Sequence, residues 1–378
     1  MHFAFIDIAA NYTGASPQTQ ALGGTQAAVC HLSSALVKKG ATVTLINQNR
    51  VAGEFSGIRS LPPEHLDNAQ SLAEIDVLVI NGRWTKKLVE TLRTKTNARA
   101  VAPTSSKEGG AERMATKIIG WMHEAAFNDP WILPLPQFDA IVFVSQWQKQ
   151  INAPLIPQHT HGIVIPNGIE PAFHSLFQNE AILADKQPIL IYMGSSKRGL
   201  FHLPQILPQL KAQIPELQFE IYSDCNIDND AIAQTAFRNQ LLSINGVTHV
   251  GAVSQSELPT RLKRASFFIS PNTYPETFCI CLAEAMSAGC TPIITARAAL
   301  PETAHGFGAK LPVALSDSTN YEKDVLDISA FADLTVQIIR AQQSQKPQAV
   351  EAYLRRQIDF VNQHYNWDVH ADAWLNIN

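Results

Sequence analysis

A chain of 378 residues exceeds what one hydrophobic core usually organises, so two α/β domains are expected. Hydrophobic residues at 46% and charged residues at 16% exclude a disordered chain, and a net charge of −4 gives no global attraction to nucleic acid or anionic lipid. The opening MHFAFIDIAANYTGA has Asp7 inside its only apolar run and no basic stretch before it, so it does not read as a signal peptide. No run of about 18 apolar residues follows, and a cytoplasmic protein is expected.

Along the chain, short β-branched runs alternate with amphipathic helical stretches, the pattern of parallel sheets covered by helices. Strands are predicted over 2–8, 42–47, 76–81, 117–122, 140–145 and 162–167 in the first half. In the second half they fall at 188–194, 218–223, 248–251, 266–271 and 291–296. The stretch 170–188 lacks strand alternation and turns polar before a new strand begins, which places a domain boundary there: 1–168, then 169–359. The five cysteines, Cys30, Cys225, Cys279, Cys281 and Cys290, lack C-x-x-C spacing and read as reduced thiols.

Two stretches suit a phosphate. The long loop 9–24 precedes a helix over about 25–39, so Gly23 and Gly24 lie at a helix N-terminus, where bare backbone N–H groups and the helix dipole favour an anion. A Gly-Gly pair alone also makes a plain turn, and neither G-x-G-x-x-G nor G-x-x-x-x-G-K-[ST] occurs. The second stretch, SPNTYPETFCICLAEAMSAGCTPIIT (270–295), reads as strand end, loop, helix, glycine stop and strand. With the helix starting near Phe278, Glu276 stands just before it and Glu284 two turns into it, roughly 9 Å from its start. That spacing suits a diphosphate bridged between two hydroxylated rings, at the carboxyl ends of strands where open parallel sheets bind ligands. Taken singly, each glutamate also fits a solvated residue or a salt bridge.

The segment PETFCICLAEAMSAG (275–289) resembles the E-x7-E signature of glycosyltransferase family 4, retaining enzymes of the GT-B fold. In order with it stand Gly23-Gly24, His123 in GWMHE, VFVSQW (142–147), VIPNGIE (164–170), IYMGSSKRGL (191–200) and VGAVSQSEL (250–258), so the resemblance covers nearly the whole chain. It implies two Rossmann-like domains facing a cleft, an acceptor-binding one over 1–168 and a nucleotide-sugar-binding one over 169–359, with a closing helix over 360–378 crossing back to the first. It implies retention of configuration and transfer from a nucleotide-diphosphate sugar, a UDP-sugar by preference, to a glycan or lipid-linked acceptor in envelope polysaccharide or lipopolysaccharide synthesis. No tightly bound cofactor and no metal are implied. His123, Lys197, Arg198 and Glu276 would be catalytic; Gly23, Gly24, Thr277, Phe278, Cys279, Ile280 and Glu284 would bind the donor. Glu276 would hold the sugar and Glu284 the ribose, and Lys197 or Arg198 would meet the leaving diphosphate. The sequence departs from the family at Cys279, where glycine is frequent, and at Gln26, where an acidic residue is.

Weaker signals are weighed the other way. Asp228-Asn229-Asp230 has the D-x-D pattern of metal-diphosphate sites but sits in a polar turn. His159 and His161 read as a surface loop, and Ser254 with Glu257 as a capping box. Lys86, Lys87, Arg93, Lys95, Arg99, Lys107, Arg113 and Lys117 read as a solvated face that could attract an anionic acceptor or a membrane surface, giving peripheral attachment at its inner face. The competing functions are a nucleotide-sugar epimerase or glycan phosphorylase of the same architecture, and a non-catalytic two-domain sugar-binding protein. No affinity for nucleic acid is expected.

Overall fold

A computed structural model describes residues 1–68, 72, 74–82, 84–97, 116–125, 134–225, 230–315 and 324–377. The chain divides into two compact units, residues 1–168 with 367–378, and residues 169–366.

The first unit is built on β1 (His2–Asp7), α1 (Ser16–Thr19), α2 (Gly24–Lys38), β2 (Thr42–Asn47), β3 (Gly53–Phe55), β4 (Ile58–Leu61), β5 (Val77–Asn81), α3 (Lys86–Asn97), β6 (Lys117–Met122), β7 (Ala140–Phe143), α4 (Gln146–Asn152) and β8 (His161–Val164). Among the described residues these strands form one sheet in the order β3-β4-β2-β1-β5-β6-β7-β8, parallel except for β3 against β4. The central strands are apolar on both faces because both are covered, as in parallel sheets generally. Ile6, Ile46, Leu78, Ile80, Leu92 and Ile118 fill one core cluster. The β3–β4 hairpin is absent from the sequence reading. Its strands are short, and its signal is only Ser56-Gly57, both at positive φ (54° and 75°), the combination that a tight two-residue hairpin turn demands.

The second unit carries β9 (Gln187–Met193), α5 (Leu203–Gln213), β10 (Gln218–Tyr222), α6 (Ala231–Leu242), β11 (Val247–His249), α7 (Leu258–Leu262), β12 (Ala265–Ser270), α8 (Ile280–Ser287), β13 (Thr291–Thr295), α9 (Leu300–Ala304), β14 (Ala309–Leu311), α10 (Ile328–Ser344) and α11 (Pro347–His364). Its parallel sheet runs β11-β10-β9-β12-β13-β14 among the described residues. One core cluster joins Leu190, Phe219, Phe267 and Ile269 to Ile206 and Leu210 of α5 and to Phe331 and Ile339 of α10. The short edge strand β14 is a second element that the sequence reading lacks.

The segment read as one closing helix over 360–378 is two. α11 runs through His364 within the second unit, and α12 (Trp367–Leu375) belongs to the first. There the Trp374 indole packs against Phe5 and Trp121 at 6.2 and 5.0 Å between ring centroids, and Asp372 pairs with Lys39 at 2.7 Å. Gly168 sits so close to Trp367 that an added Cβ would lie 2.7 Å from its ring, so only glycine fits where α12 joins the first unit.

Among the described residues, the parallel strands of each sheet reverse their order at an inner point, and ligands of open α/β sheets bind beyond the strand ends at such points. In the first unit β1 lies between β2 and β5, in the second β9 lies between β10 and β12. The second reversal brings together the loops that follow β9 and β12, which carry Arg198 and Glu276.

Candidate active site

The turn after β9 is short and basic. Ser196, Lys197 and Arg198 form a single 3-10 turn that ends at Gly199, with φ of 95°. That left-handed backbone favours glycine, and an added Cβ would stand 2.3 Å from the Pro271 carbonyl oxygen, so the turn presses directly on the loop after β12. The buried Tyr192 hydroxyl donates to the Ser195 carbonyl at 2.8 Å and holds the turn from below. Lys197 is exposed. Arg198 turns inward: its Nε meets Glu276 Oε1 at 2.8 Å, and its guanidinium lies 3.5 Å from the centroid of the Tyr274 ring. A guanidinium over an aromatic face is attracted by the ring quadrupole and keeps its planar fork in one orientation. The Arg198 and Glu276 side chains are 27% and 13% exposed, so the pair is partly desolvated yet open to solvent.

The loop from Pro271 to Cys279 is held by its own segment and by the next strand. Asn272 Oδ1 accepts the Tyr274 N–H at 2.8 Å, and the Glu276 N–H reaches the Tyr274 carbonyl at 2.9 Å. The helix that follows begins at Ile280 and not near Phe278, because Cys279 still has extended backbone and serves as the N-cap. Glu284 is therefore the fifth residue of α8, just over one turn in rather than two. Thr277 and Phe278 are buried, with the Phe278 ring edge-on to Tyr365 at 5.0 Å. Burial raises the thiol pKa of both Cys279 and Cys281, with the Glu276 and Glu284 carboxylates adding to it, so both stay protonated thiols at neutral pH. All five cysteines are free.

Glu284 is 2% exposed. Burial pushes its carboxyl up to about 8, the neighbouring Glu170 carboxylate adds to the rise, and a hydrogen bond from the Glu170 backbone N–H opposes it. At neutral pH this acid is mostly protonated. Glu170 closes the quoted motif VIPNGIE, yet the sequence offered no sign of its reach to Glu284.

In the first unit, Gly23 is the N-cap of α2 and Gly24 its first residue, and both are exposed. Gln26, where an acidic residue is frequent, spends its amide on Asp7 Oδ2 at 3.0 Å. His123 follows β6 directly, with its ring 4.6 Å from that of Trp121. Desolvation lowers its pKa to about 3, so the imidazole is neutral at physiological pH.

Other readings change. Asp228 and Asn229 lie outside the described residues, while Asp230 caps α6 by accepting from the N–H groups of Ile232 and Ala233. Ser254 makes no side-chain cap bond, its hydroxyl meeting that of Ser256 at 3.3 Å instead, so the capping box does not form. Four residues of the basic face have partners, and Lys87 is exposed. Lys86 meets Glu90, Arg93 meets Asp139, Lys95 meets Asp67 and Lys117 donates to the Ile377 carbonyl, while Arg99, Lys107 and Arg113 lie outside the described residues. No helix among the described residues is long and apolar enough to cross a membrane. The residues of this stretch that sequence reasoning did not single out are Tyr274, Gly199 and Glu170. Only Tyr274 left a signal, an aromatic residue in a proline-rich loop two places before Glu276.

Residues 176–341 match the family described as glycosyl transferases group 1. The chain is 26% identical over 175 residues to a phosphatidyl-myo-inositol mannosyltransferase of Propionibacterium freudenreichii, a match that spans 44% of this chain and 41% of that protein. Among solved structures it is similar to HepE of Anabaena in complex with UDP-glucose, with a TM-score of 0.65 and 12% identity over 99% of this chain and 98% of that one. It is also similar to WaaG, a glycosyltransferase involved in lipopolysaccharide biosynthesis, with a TM-score of 0.61 and 11% identity over 100% of both chains. Arg198, Glu276 and Glu284 thus lie within the residues that match glycosyl transferases group 1, and the two parallel-sheet units have the GT-B fold.

Proposed function

We propose that the protein is a retaining glycosyltransferase that moves a hexosyl group from a nucleotide-diphosphate sugar, preferably a UDP-sugar, to a glycan or lipid-linked acceptor in envelope polysaccharide or lipopolysaccharide synthesis. The observation that carries the reading is the Arg198–Glu276 pair, built from two loops at the strand-order reversal of the second unit. The diphosphate competes with Glu276 for the Arg198 fork, which binds phosphate oxygens well. Glu276, so released, accepts hydrogen bonds from the hydroxyls of the sugar to be transferred, and Glu284 accepts from the ribose. The bond from the anomeric carbon to the phosphate oxygen breaks and its electron pair stays on the phosphate, whose charge Arg198 stabilises. The acceptor oxygen attacks from the same face and its proton passes to the departing phosphate, which retains the configuration. Gly23, Gly24 and His123 are supported as contributors by the resemblance alone.

The UDP-glucose bound by HepE and the mannosyltransferase likeness support a nucleotide-sugar donor. Calorimetry and steady-state rates test the division of labour between the glutamates. At pH 8.5, where Glu284 is ionised, Glu284→Ala is expected to weaken binding of UDP by roughly 10- to 100-fold, the worth of a hydrogen bond to a charged group. Glu276→Ala is expected to leave that affinity nearly unchanged and to lower turnover by about 100-fold, because a misplaced sugar loses its alignment. Equal loss of nucleotide affinity in both variants would overturn the assignment. Activity is expected to survive EDTA; a loss restored by added metal would return the diphosphate to a metal site.

A further inference from the structure

The loop that carries Glu276 is held from outside by the segment after β13. Thr295 Oγ1 donates to the Asn272 carbonyl at 2.5 Å, Arg297 Nε donates to the Thr273 carbonyl at 3.2 Å, and the Ala299 N–H donates to the carbonyl of Glu276 itself at 3.0 Å. Three carbonyls of one loop are thereby tied to three residues within a five-residue stretch of the next. Between two of the donors stands Ala298 at φ 53°, a left-handed backbone that a residue with a Cβ adopts only when its surroundings impose it.

Arg297 is the member of this segment that needs explaining. Its side chain is 7% exposed, and its Nη2 meets the fully buried carboxylate of Asp324 at 2.8 Å. Asp324 is itself fixed, since its neighbour Val325 exchanges two backbone hydrogen bonds with Ala314 at 3.1 and 2.9 Å. Two charges taken out of water seldom gain stability over apolar residues of the same size, and what such a pair supplies best is one defined arrangement. Here the guanidinium donates from Nε to the loop carbonyl while its Nη2 forms an ion pair with the carboxylate, two separate contacts that the single nitrogen of a lysine ammonium cannot reproduce.

We propose that Arg297 and Asp324 form a clamp whose role is to position Glu276: Asp324 orients Arg297, and Arg297 with Ala299 sets the path of the loop from Asn272 to Glu276. Neither residue touches the donor; both are positioning residues. The proposal rests on the reading of Glu276 as the residue that holds the transferred sugar.

The test has one arm that needs no activity. Arg297→Met combined with Asp324→Asn removes both charges of the pair together, and thermal unfolding confirms that the variant is folded. Hydrogen exchange is then expected to speed up about tenfold or more at the amides of Tyr274, Glu276 and Ala299, with the amides of β12 unchanged. Unchanged exchange in the loop would overturn the clamp. In the kinetic arm, turnover is expected to fall about tenfold or more while the affinity for UDP stays within about twofold. Added to Glu276→Ala, the same double change is expected to lower turnover no further, because a residue that acts through Glu276 has nothing left to position. Losses that multiply would overturn the positioning role. Arg297→Lys is expected to stay folded and to restore only part of the rate; a full restoration would overturn the need for the forked geometry. If the unaltered protein transfers no sugar from any nucleotide donor, the proposed function fails, and the exchange result still decides the clamp.

Discussion

Asp7 of the first unit and Glu284 of the second are buried to the same degree, 3% and 2% exposed, but their surroundings differ. Asp7 ends β1 and accepts from the Ala9 N–H at 3.2 Å, the Tyr12 hydroxyl at 3.2 Å, the Gln26 amide at 3.0 Å and the Asn81 amide at 3.4 Å. Its oxygens are taken up by the fold. Glu284 receives the Glu170 backbone N–H, stands near the Glu170 carboxylate, and is pushed up to about 8. Burial is common to both, so burial does not mark a binding group. What separates them is how many hydrogen-bond donors the chain itself supplies to the carboxyl group.

The largest expected effect is on stability at high pH. Glu284 binds its proton more tightly folded, at about 8, than unfolded, near 4.5. The stability that the neutral form contributes is therefore full below about pH 4.5 and is lost as pH rises to about 8. Gln at this position never ionises. Glu284→Gln is expected to match the unaltered protein near pH 4.5 and to exceed it by up to about 5 kcal/mol above pH 8.5, read by urea unfolding. A difference independent of pH would show that Glu284 titrates like an ordinary carboxyl.

Asp7→Asn probes the other side. It turns an acceptor into a donor amid the Tyr12, Gln26 and Asn81 donors, and a loss of about 2–3 kcal/mol is expected. UDP affinity is expected to stay constant. Should affinity fall as far as it does in Glu284→Ala, Asp7 would belong to the site and not to the scaffold.

The smallest effects separate two glycines. Gly199→Ala is expected to lose about 2 kcal/mol, since the turn must both give up φ 95° and move off the Pro271 carbonyl. Gly23→Ala meets only the end of the flexible Gln26 side chain, at 2.7 Å from Oε1, and is expected to lose under about 1 kcal/mol. Melting temperatures compare them directly. A large loss at Gly23 would make that glycine a structural necessity and weaken its reading as a bare anion site.

The division into two α/β units, most strands, and the glutamate pair about a loop and helix start were legible because their signals are local. Hydrophobic runs of five or six residues mark buried parallel strands wherever they occur, and Gly289 at φ 72° stops α8 as its position suggested. The helix start was misjudged by two residues because Phe278 is apolar for tertiary reasons: it packs on Tyr365, 87 positions away by their numbers. The lysine- and arginine-rich face looked free in sequence because its partners Asp67 and Asp139 come from other segments.

What the sequence by itself determined is the kind of sheet, the order of the elements and which residue types stand at the strand ends, all properties of spacing within a dozen residues. Only the tertiary structure decided that Arg198 meets Glu276, that Tyr274 lies beneath the guanidinium, that Glu170 faces Glu284, and that Arg297 and Asp324 tie down the loop. These pairings join residues brought together by strand order and burial, and desolvation has no counterpart in a linear pattern: the same glutamate is an ordinary acid in the unfolded chain and one held to about 8 beneath the packed helix.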